Sequence, residues 1–344
     1  MMNHELSTWW VLRTATIISF AALLSALLII VLRPLLGRYA LARPNARSSH
    51  KIPTPQGGGI AVVAATIIAV YGALHFWTAA GSVPELLLIV FGAVILIACV
   101  GAADDIRSIE VIPRLLLQAL AVALVIYALP DDLRIAPFMP WWIERVLLVV
   151  GGVWFVNLVN FMDGIDWMSV AEVIPLTAGF VVLGAVHALP LYGTVVALAL
   201  GGAMLGFAYF NRPIASVFLG DVGSLPIGLI LGWLLLLVAG GGHLVAATVM
   251  PLYYLADASV TLIRRLIHRE RFWQAHRTHF YQLATERGYA VIGIVVRVFL
   301  VNVCLCSLAL MTVILPGKLS GSVALVASTA LVTGLLFVFA RGKK

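Results

Sequence analysis

Five aspartates in this chain sit where a carboxylate is expensive. Asp104 and Asp105 are adjacent in GAADDIRS, Asp163 and Asp166 close the stretch NLVNFMDGID, and Asp221 lies between two glycines in FLGDVGS. The chain around them is 62% hydrophobic and only 11% charged. Adjacent carboxylates at an apolar boundary repel each other and resist desolvation, and a divalent cation or a nearby arginine relieves both costs. Asn157, Asn160, Asp163 and then Asp166 or Glu172 recur at helix-like steps, so a continuing helix would stack them on one stripe. Helix capping accounts for one such polar residue, not for four. Around Asp221, Gly220 and Gly223 allow a close backbone approach to a ligand, and a helix start there favours a phosphate.

Two basic segments complement the carboxylates. The first runs from Arg47 through His50 and Lys51 to Pro53, Pro55 and Gly57-Gly58-Gly59. It has the composition of a phosphate-binding loop but lacks the GK[ST] ending of an ATP-binding P-loop. The second holds Arg264, Arg265, Arg269 and Arg271, then Trp273, His276, Arg277, His279 and Tyr281. Clustered arginine and histidine suit a pyrophosphate. Membrane anchoring explains some of the arginines but not the paired His276 and His279. Zinc is a weak alternative, since neither HExxH nor a nearby cysteine is present.

These residues must be held by membrane-spanning helices. A mean hydropathy of +1.07 and a charged fraction far below the roughly 25% of soluble domains exclude water as the main solvent. Apolar runs near 14–32, 57–78, 85–102, 113–129, 142–160, 169–188, 190–210, 223–240, 243–262, 290–315 and 319–340 predict an all-α, polytopic bundle of about eleven transmembrane helices. The first run is followed by basic residues rather than a small-residue cleavage site, so it reads as a span. Alternating ten-residue strands, as in a membrane barrel, are absent. Segments 33–56, 103–114, 211–222, 263–289 and 341–344 hold 17 of the 22 lysines and arginines. The positive-inside rule makes them cytoplasmic, with the N-terminus outside and the C-terminus inside. The net charge of +7 is therefore a topology signal and not a nucleic-acid footprint. The same assignment puts Asp104, Asp105, Asp163, Asp166 and Asp221 at one face and Asp131 and Asp132 at the other. The expected organisation is one transmembrane domain over 1–344, with working loops at 33–56, 103–114, 157–168, 211–222 and 263–289.

Carboxylates, basic clusters and an apolar body at one membrane face are the parts needed to transfer a phosphoryl group from a soluble diphosphate to a lipid phosphate. Magnesium takes one or two carboxylates plus substrate phosphates, and arginine and lysine take the remaining charge. At this point the sequence resembles the polyprenyl-phosphate N-acetylhexosaminyl-1-phosphate transferases, glycosyltransferase family 4. This superfamily includes the muramoyl-pentapeptide translocase and the enzymes that start O-antigen and teichoic acid synthesis. The stretches RSSHKIPTPQGGG, GAADDIRS, NLVNFMDGID, FLGDVGS and WQAHRTHFYQ carry the resemblance, in the family's order. The first and last look closest to the O-antigen-initiating branch.

The resemblance implies a UDP-N-acetylhexosamine donor, undecaprenyl phosphate as acceptor, Mg2+ or Mn2+ as cofactor, and a multi-pass protein of the bacterial inner membrane, with a homodimer allowed. It places Asp104, Asp105 and Asp163 at the catalytic centre, and Asp163 and Asp221 on the metal. Asn157, Asn160 and Asp166 would shape the nucleotide pocket, and His50, Lys51, His276, Arg277 and His279 would meet the substrates. An aspartate of the 104–105 pair would remove a proton from the lipid phosphate or act as a covalent nucleophile; the residues leave both open. Two departures stand out. Trp167 occupies a position where the family often has glycine, so the loop after Asp166 is expected to differ in shape. Arg107 stands near where the translocase pattern has lysine, keeping charge but not geometry. The rivals are the peptidoglycan translocase and, outside enzymes, a secondary transporter. A transporter should show inverted repeats with interrupted spans, and no such repeat is found.

Overall fold

A computed structural model describes residues 2–42, 53–77, 84–270 and 277–342. The described chain is helical almost throughout. It begins with α1 (Met2–Tyr39), followed by two short strands, β1 (Leu41–Ala42) and β2 (Thr54–Pro55), and α2 (Gly59–Trp77). Then come α3 (Glu85–Ile106), α4 (Val111–Tyr127), α5 (Trp141–Met162), α6 (Met168–Ala185), α7 (Leu191–Phe210) and α8 (Asp221–Gly240). The remainder is α9 (Leu244–Val249), α10 (Leu252–Ile267), α11 (Phe280–Glu286), α12 (Val291–Ile314) and α13 (Lys318–Arg341). Runs of Leu, Val, Ala and Ile favour helix in a solvent that cannot satisfy open backbone groups. Proline sets several entries: Pro84, Pro140 and Pro190 directly precede α3, α5 and α7, where their missing amide hydrogen costs nothing.

Among the described residues, nine helices are long and apolar enough to cross a membrane: α1 to α3, α5 to α8, α12 and α13. The expectation of eleven is corrected in two places. The run near 113–129 forms α4, whose 17 residues reach about 26 Å at ~1.5 Å per residue, short of the ~30 Å hydrocarbon layer. The run near 243–262 is two helices, α9 and α10, broken at Met250 and Pro251. A proline without an amide hydrogen cannot continue the ladder there, and average apolarity does not register the break.

The core is organised around α8, which packs against α3, α5, α2 and α9. In the most apolar stretch of α8, 89% of the residues are buried, against 22% for α1. On one flank α7 packs against α1, α2 and α6; on the other, α12 packs against α6, α9 and α13. Between these groups α6 carries Pro175, which leaves Ala171 O without its helical donor. Asn302 of α12 supplies one, its Nδ2 donating to Ala171 O at 3.0 Å and to Glu172 Oε2 at 2.7 Å.

At one end of the bundle α2, α3 and α8 converge on glycine. A side chain at Gly59 would run into the backbone of Gly223, and one at Gly101 into the backbone of Asp221. Residues 55–59 lie along residues 218–219: Phe218 N donates to Pro55 O (2.8 Å), Gly58 N to Phe218 O (2.9 Å) and Gly59 N to Leu219 O (2.9 Å). The strand pair β1–β2 is antiparallel, with Leu41 opposite Pro55. The PTPQGGG and FLGD stretches are therefore joined by backbone bonding.

Candidate active site

Three of these elements bring the aspartates together. Asp105, one turn beyond Gly101 on α3, reaches across to the start of α8. Its Oδ1 accepts from Asp221 N (2.9 Å) and its Oδ2 from Val222 N (3.1 Å). Gln56 Nε2 donates to the same Oδ1 at 3.0 Å. These are the first amides of α8, which have no partner inside the helix, so Asp105 caps α8 from a distant part of the chain. Gly220, at φ 76°, turns the backbone so that the amides face Asp105; a side chain there would strike the Asp105 carboxylate.

Asp104 is held differently. Its Oδ1 accepts from Ile109 N (2.6 Å) and its Oδ2 pairs with Arg114 Nη1 (2.8 Å). Its carboxyl group also lies within hydrogen-bonding reach of Asp221. Asn160, in the last turn of α5, donates Nδ2 to Asp221 Oδ1 and to Ser224 Oγ, both at 2.8 Å. Asp163 is the residue at which α5 ends. Its Oδ1 accepts from Ser169 Oγ at 2.5 Å. Burial, reinforced by the nearby Asp221, Asp105 and Asp166, pushes its carboxyl group up to about 7. Asp166 Oδ2 accepts from Ala215 N (3.0 Å), tying this loop to the one before α8.

Asp104, Asp105, Asn160, Asp163, Asp166 and Asp221 thus form one group. Asp131 and Asp132 lie in the turn after α4, which runs away from that end. Asn157 is not joined to the group by its amide, which donates to Gln118 Oε1 (2.7 Å) and Val153 O (2.8 Å) and so links α5 to α4. The polar stripe expected along a continuing helix stops at Met162, and Glu172 turns to Asn302 instead. Trp167 sits at φ 63°, ψ 4°, a left-handed conformation that glycine takes freely. The different loop shape expected from this residue is not needed. The side chain adds an anchor instead, its Nε1 donating to Ala208 O of α7.

In the basic segment, His50, Lys51 and His276 lie outside the described residues. His279 is not on a helix face but directly precedes α11. It is 3% exposed, with its ring near Tyr281 and Nδ1 3.3 Å from Asp257 Oδ1. Arg277 Nε stands 3.9 Å from Glu286 Oε1, and Arg264 Nη2 donates to Thr278 O at 2.8 Å. Sequence reasoning passed over Gln56, Ser169, Ser224 and Tyr281, which brace the group. Only Gln56 carried a signal, from its place beside the glycine run.

Asp104 and Asp221 face each other within bonding distance, an arrangement that two carboxylates tolerate only with a shared proton or a cation. Among the described residues no three His, Cys, Asp or Glu side chains are grouped to enclose a metal ion. A cation here would take two protein carboxylates at most and draw its other ligands from phosphate and water, the pattern of magnesium at phosphoryl-transfer sites.

Residues 87–239, which hold every member of the group except Gln56, match the model of glycosyl transferase family 4. The chain is 27% identical over 286 residues to a probable undecaprenyl-phosphate N-acetylglucosaminyl 1-phosphate transferase of Bacillus subtilis (strain 168), covering 76% of this chain and 75% of the relative. It is 28% identical to a phospho-N-acetylmuramoyl-pentapeptide-transferase of Solidesulfovibrio magneticus, over 88% of this chain and 94% of the relative. A transferase of the same name from Kosmotoga olearia is 30% identical over 57% of this chain and 64% of its own length. The ordered motifs, the helical membrane architecture and these matches agree: the chain belongs to glycosyl transferase family 4.

Proposed function

We propose that this protein transfers N-acetylhexosamine 1-phosphate from a UDP-sugar to undecaprenyl phosphate, releasing UMP, and so starts an O-antigen or related envelope glycan. The facing pair Asp104 and Asp221 carries the reading, with Asn160 fixing one oxygen of Asp221. Opposed carboxylates at the mouth of an apolar bundle suit a divalent cation bound with a diphosphate. Asp221 and Asp163 are the residues that would hold Mg2+, with Asp104 against Asp221. The cation would neutralise charge on the diphosphate when bound.

The chain's own residues then divide the work. Asp105 is committed to the α8 cap through both oxygens, so its task is to fix Asp221 in place. Asp104 and Asp163 remain to take the proton of the lipid phosphate as its oxygen attacks the β-phosphate of the donor. Arg114 holds Asp104, and the basic segments at 33–56 and 263–289 face the UDP-sugar, with Arg277 among them. The positive-inside pattern puts this end of the bundle in the cytoplasm, where UDP-sugars are made.

The test is UMP release by purified protein supplied with undecaprenyl phosphate, Mg2+ and a panel of UDP-N-acetylhexosamines, alongside UDP-muramoyl-pentapeptide. Turnover with a simple hexosamine donor supports the reading. Turnover with the pentapeptide donor alone would replace it with the peptidoglycan reaction named for two of the relatives. Absence of UMP with every donor would reject both.

A further inference from the structure

Asp257 has no solvent exposure at all, and a lone buried carboxylate is costly unless donors surround it. Five donors do. Phe280 N (3.0 Å), Thr261 Oγ1 (3.4 Å) and His279 Nδ1 (3.3 Å) meet Oδ1, while Tyr281 N and Tyr253 Oη meet Oδ2, both at 3.2 Å. Two of these are the backbone amides that open α11. A carboxylate on α10 therefore fastens the chain where the basic segment ends.

That fastening is passed on to the loop bearing Asp163. Tyr281 Oη donates to Phe161 O at 3.0 Å, two residues before Asp163. The Tyr281 ring and the Gln282 amide close over Gly164 so tightly that a Cβ there would overlap the Tyr281 hydroxyl and stand 3.0 Å from Gln282 Nε2. The far end of the same loop is held from α10 as well, by Tyr254 Oη donating to Met168 O at 3.1 Å. Residues 161–168 are thus gripped at both ends by α10 and α11, which lie beyond the segment matched by the family model. Asp163 and Asp166 stand between the two grips.

We propose that Asp257 is a positioning residue of the transfer site: it fixes the start of α11, and α11 through Tyr281 fixes the turn that presents Asp163 beside Asp221. This rests on the proposed function for its chemistry but not for its geometry. Substituting Asn at 257 keeps the shape but turns one acceptor into an amide donor facing other donors. The loop then loses its backing while the fold keeps its apolar packing.

The experiment uses full-length, detergent-purified wild type, Asp257→Asn, Tyr281→Phe and the double variant. Each is measured for kcat and KM of UMP release, for Mn2+ affinity by electron paramagnetic resonance without substrates, and for thermal unfolding. Displacement of a reacting group by about 1 Å costs on the order of 100-fold in rate. Asp257→Asn is expected to lose roughly 10- to 100-fold in kcat and to bind Mn2+ more weakly, with Tyr281→Phe changing both in the same direction. The double variant should be no worse than Asp257→Asn, because the contacts act in series. A lower unfolding temperature with unchanged kcat and Mn2+ affinity would reduce Asp257 to a stabilising residue and overturn the proposal, as would full additivity of the two changes. If wild type binds Mn2+ but releases no UMP with any donor, the proposed reaction fails, while the Mn2+ affinities still decide the positioning role. If wild type turns over without measurable Mn2+ binding, kcat decides it.

Discussion

Gly101→Ala tests the convergence of α3 and α8 directly. A Cβ at position 101 would overlap the carbonyl of Asp221 and stand 2.5 Å from Val222 N, where ordinary contact begins at 3.4 Å. The helices must therefore part by at least the difference, about 0.9 Å, and since both surfaces are backbone no side-chain rotation can absorb it. Overpacking of this kind costs about 1–3 kcal/mol, set against about 1 kcal/mol gained from replacing a helical glycine by alanine. Stability should thus fall by no more than about 2 kcal/mol. The rate should suffer more. Asp105 lies one turn along the same helix and caps α8 through Asp221 N and Val222 N, so a shift near 1 Å displaces Asp221 and should lower kcat on the order of 100-fold. Gly92→Ala is the control. It lies on the same helix, with nothing within 4 Å of an added Cβ, and should be neutral or slightly stabilising. Initial rates of UMP release and thermal unfolding in detergent measure both effects. If the two alanine variants behaved alike, the close approach of α3 to α8 would not be what holds the site.

Three further outcomes follow from the geometry. The Asp163 carboxyl group is raised from 3.8 to about 7 by burial and its carboxylate neighbours, so its contribution to stability is present below about pH 4 and lost as pH rises through about 7. Without divalent cations, Asp163→Asn should therefore unfold at a higher temperature than wild type at pH 8, by at most about 4 kcal/mol of stability, and the two should converge near pH 4; equal unfolding temperatures at pH 8 would contradict the burial of this charge. Asn302→Leu removes the donor to Ala171 O and Glu172 and should cost about 2–3 kcal/mol, read as a lower unfolding temperature; an unchanged one would mean that the Pro175 break in α6 needs no outside partner. In a cysteine-free background, Thr278→Cys and Ser320→Cys should be labelled by an impermeant thiol reagent from opposite sides in cells; outside labelling of position 278 would reverse the proposed orientation.

The parts of the site readable from sequence were those that violate the chain's own composition. Asp104, Asp105, Asp163 and Asp221 are legible because a carboxylate in an apolar chain demands a reason. Their division of labour was not. Asp105 caps a helix that begins 116 positions later, and no local pattern encodes a bond of that span. Asn157 resembles Asn160 in sequence but is one helical face away and serves Gln118. The broken segment at α9 and α10 was read as a span because hydropathy averages over Pro251. His279 was read as a ligand for the nucleotide from its type and spacing, whereas its buried contact with Asp257 is visible only in three dimensions. Trp167 misled in the opposite direction, since its unusual identity hides a backbone conformation of the kind glycine adopts.

The central place of α8 also bears on how the protein is made. Translation delivers α2, α3 and α5 before it, so the helix that touches least lipid is received by neighbours already in the membrane. Until residue 221 has emerged from the ribosome, Asp105 has no amides to cap, and Asp104 and Asn160 have no Asp221 to meet. A nascent chain stopped at Phe210 holds Asp104, Asp105, Asn160 and Asp163 and yet lacks the bond that organises them. The site is therefore completed by the arrival of one helix end, and errors in the insertion depth of α8 would leave a fully synthesised chain without it.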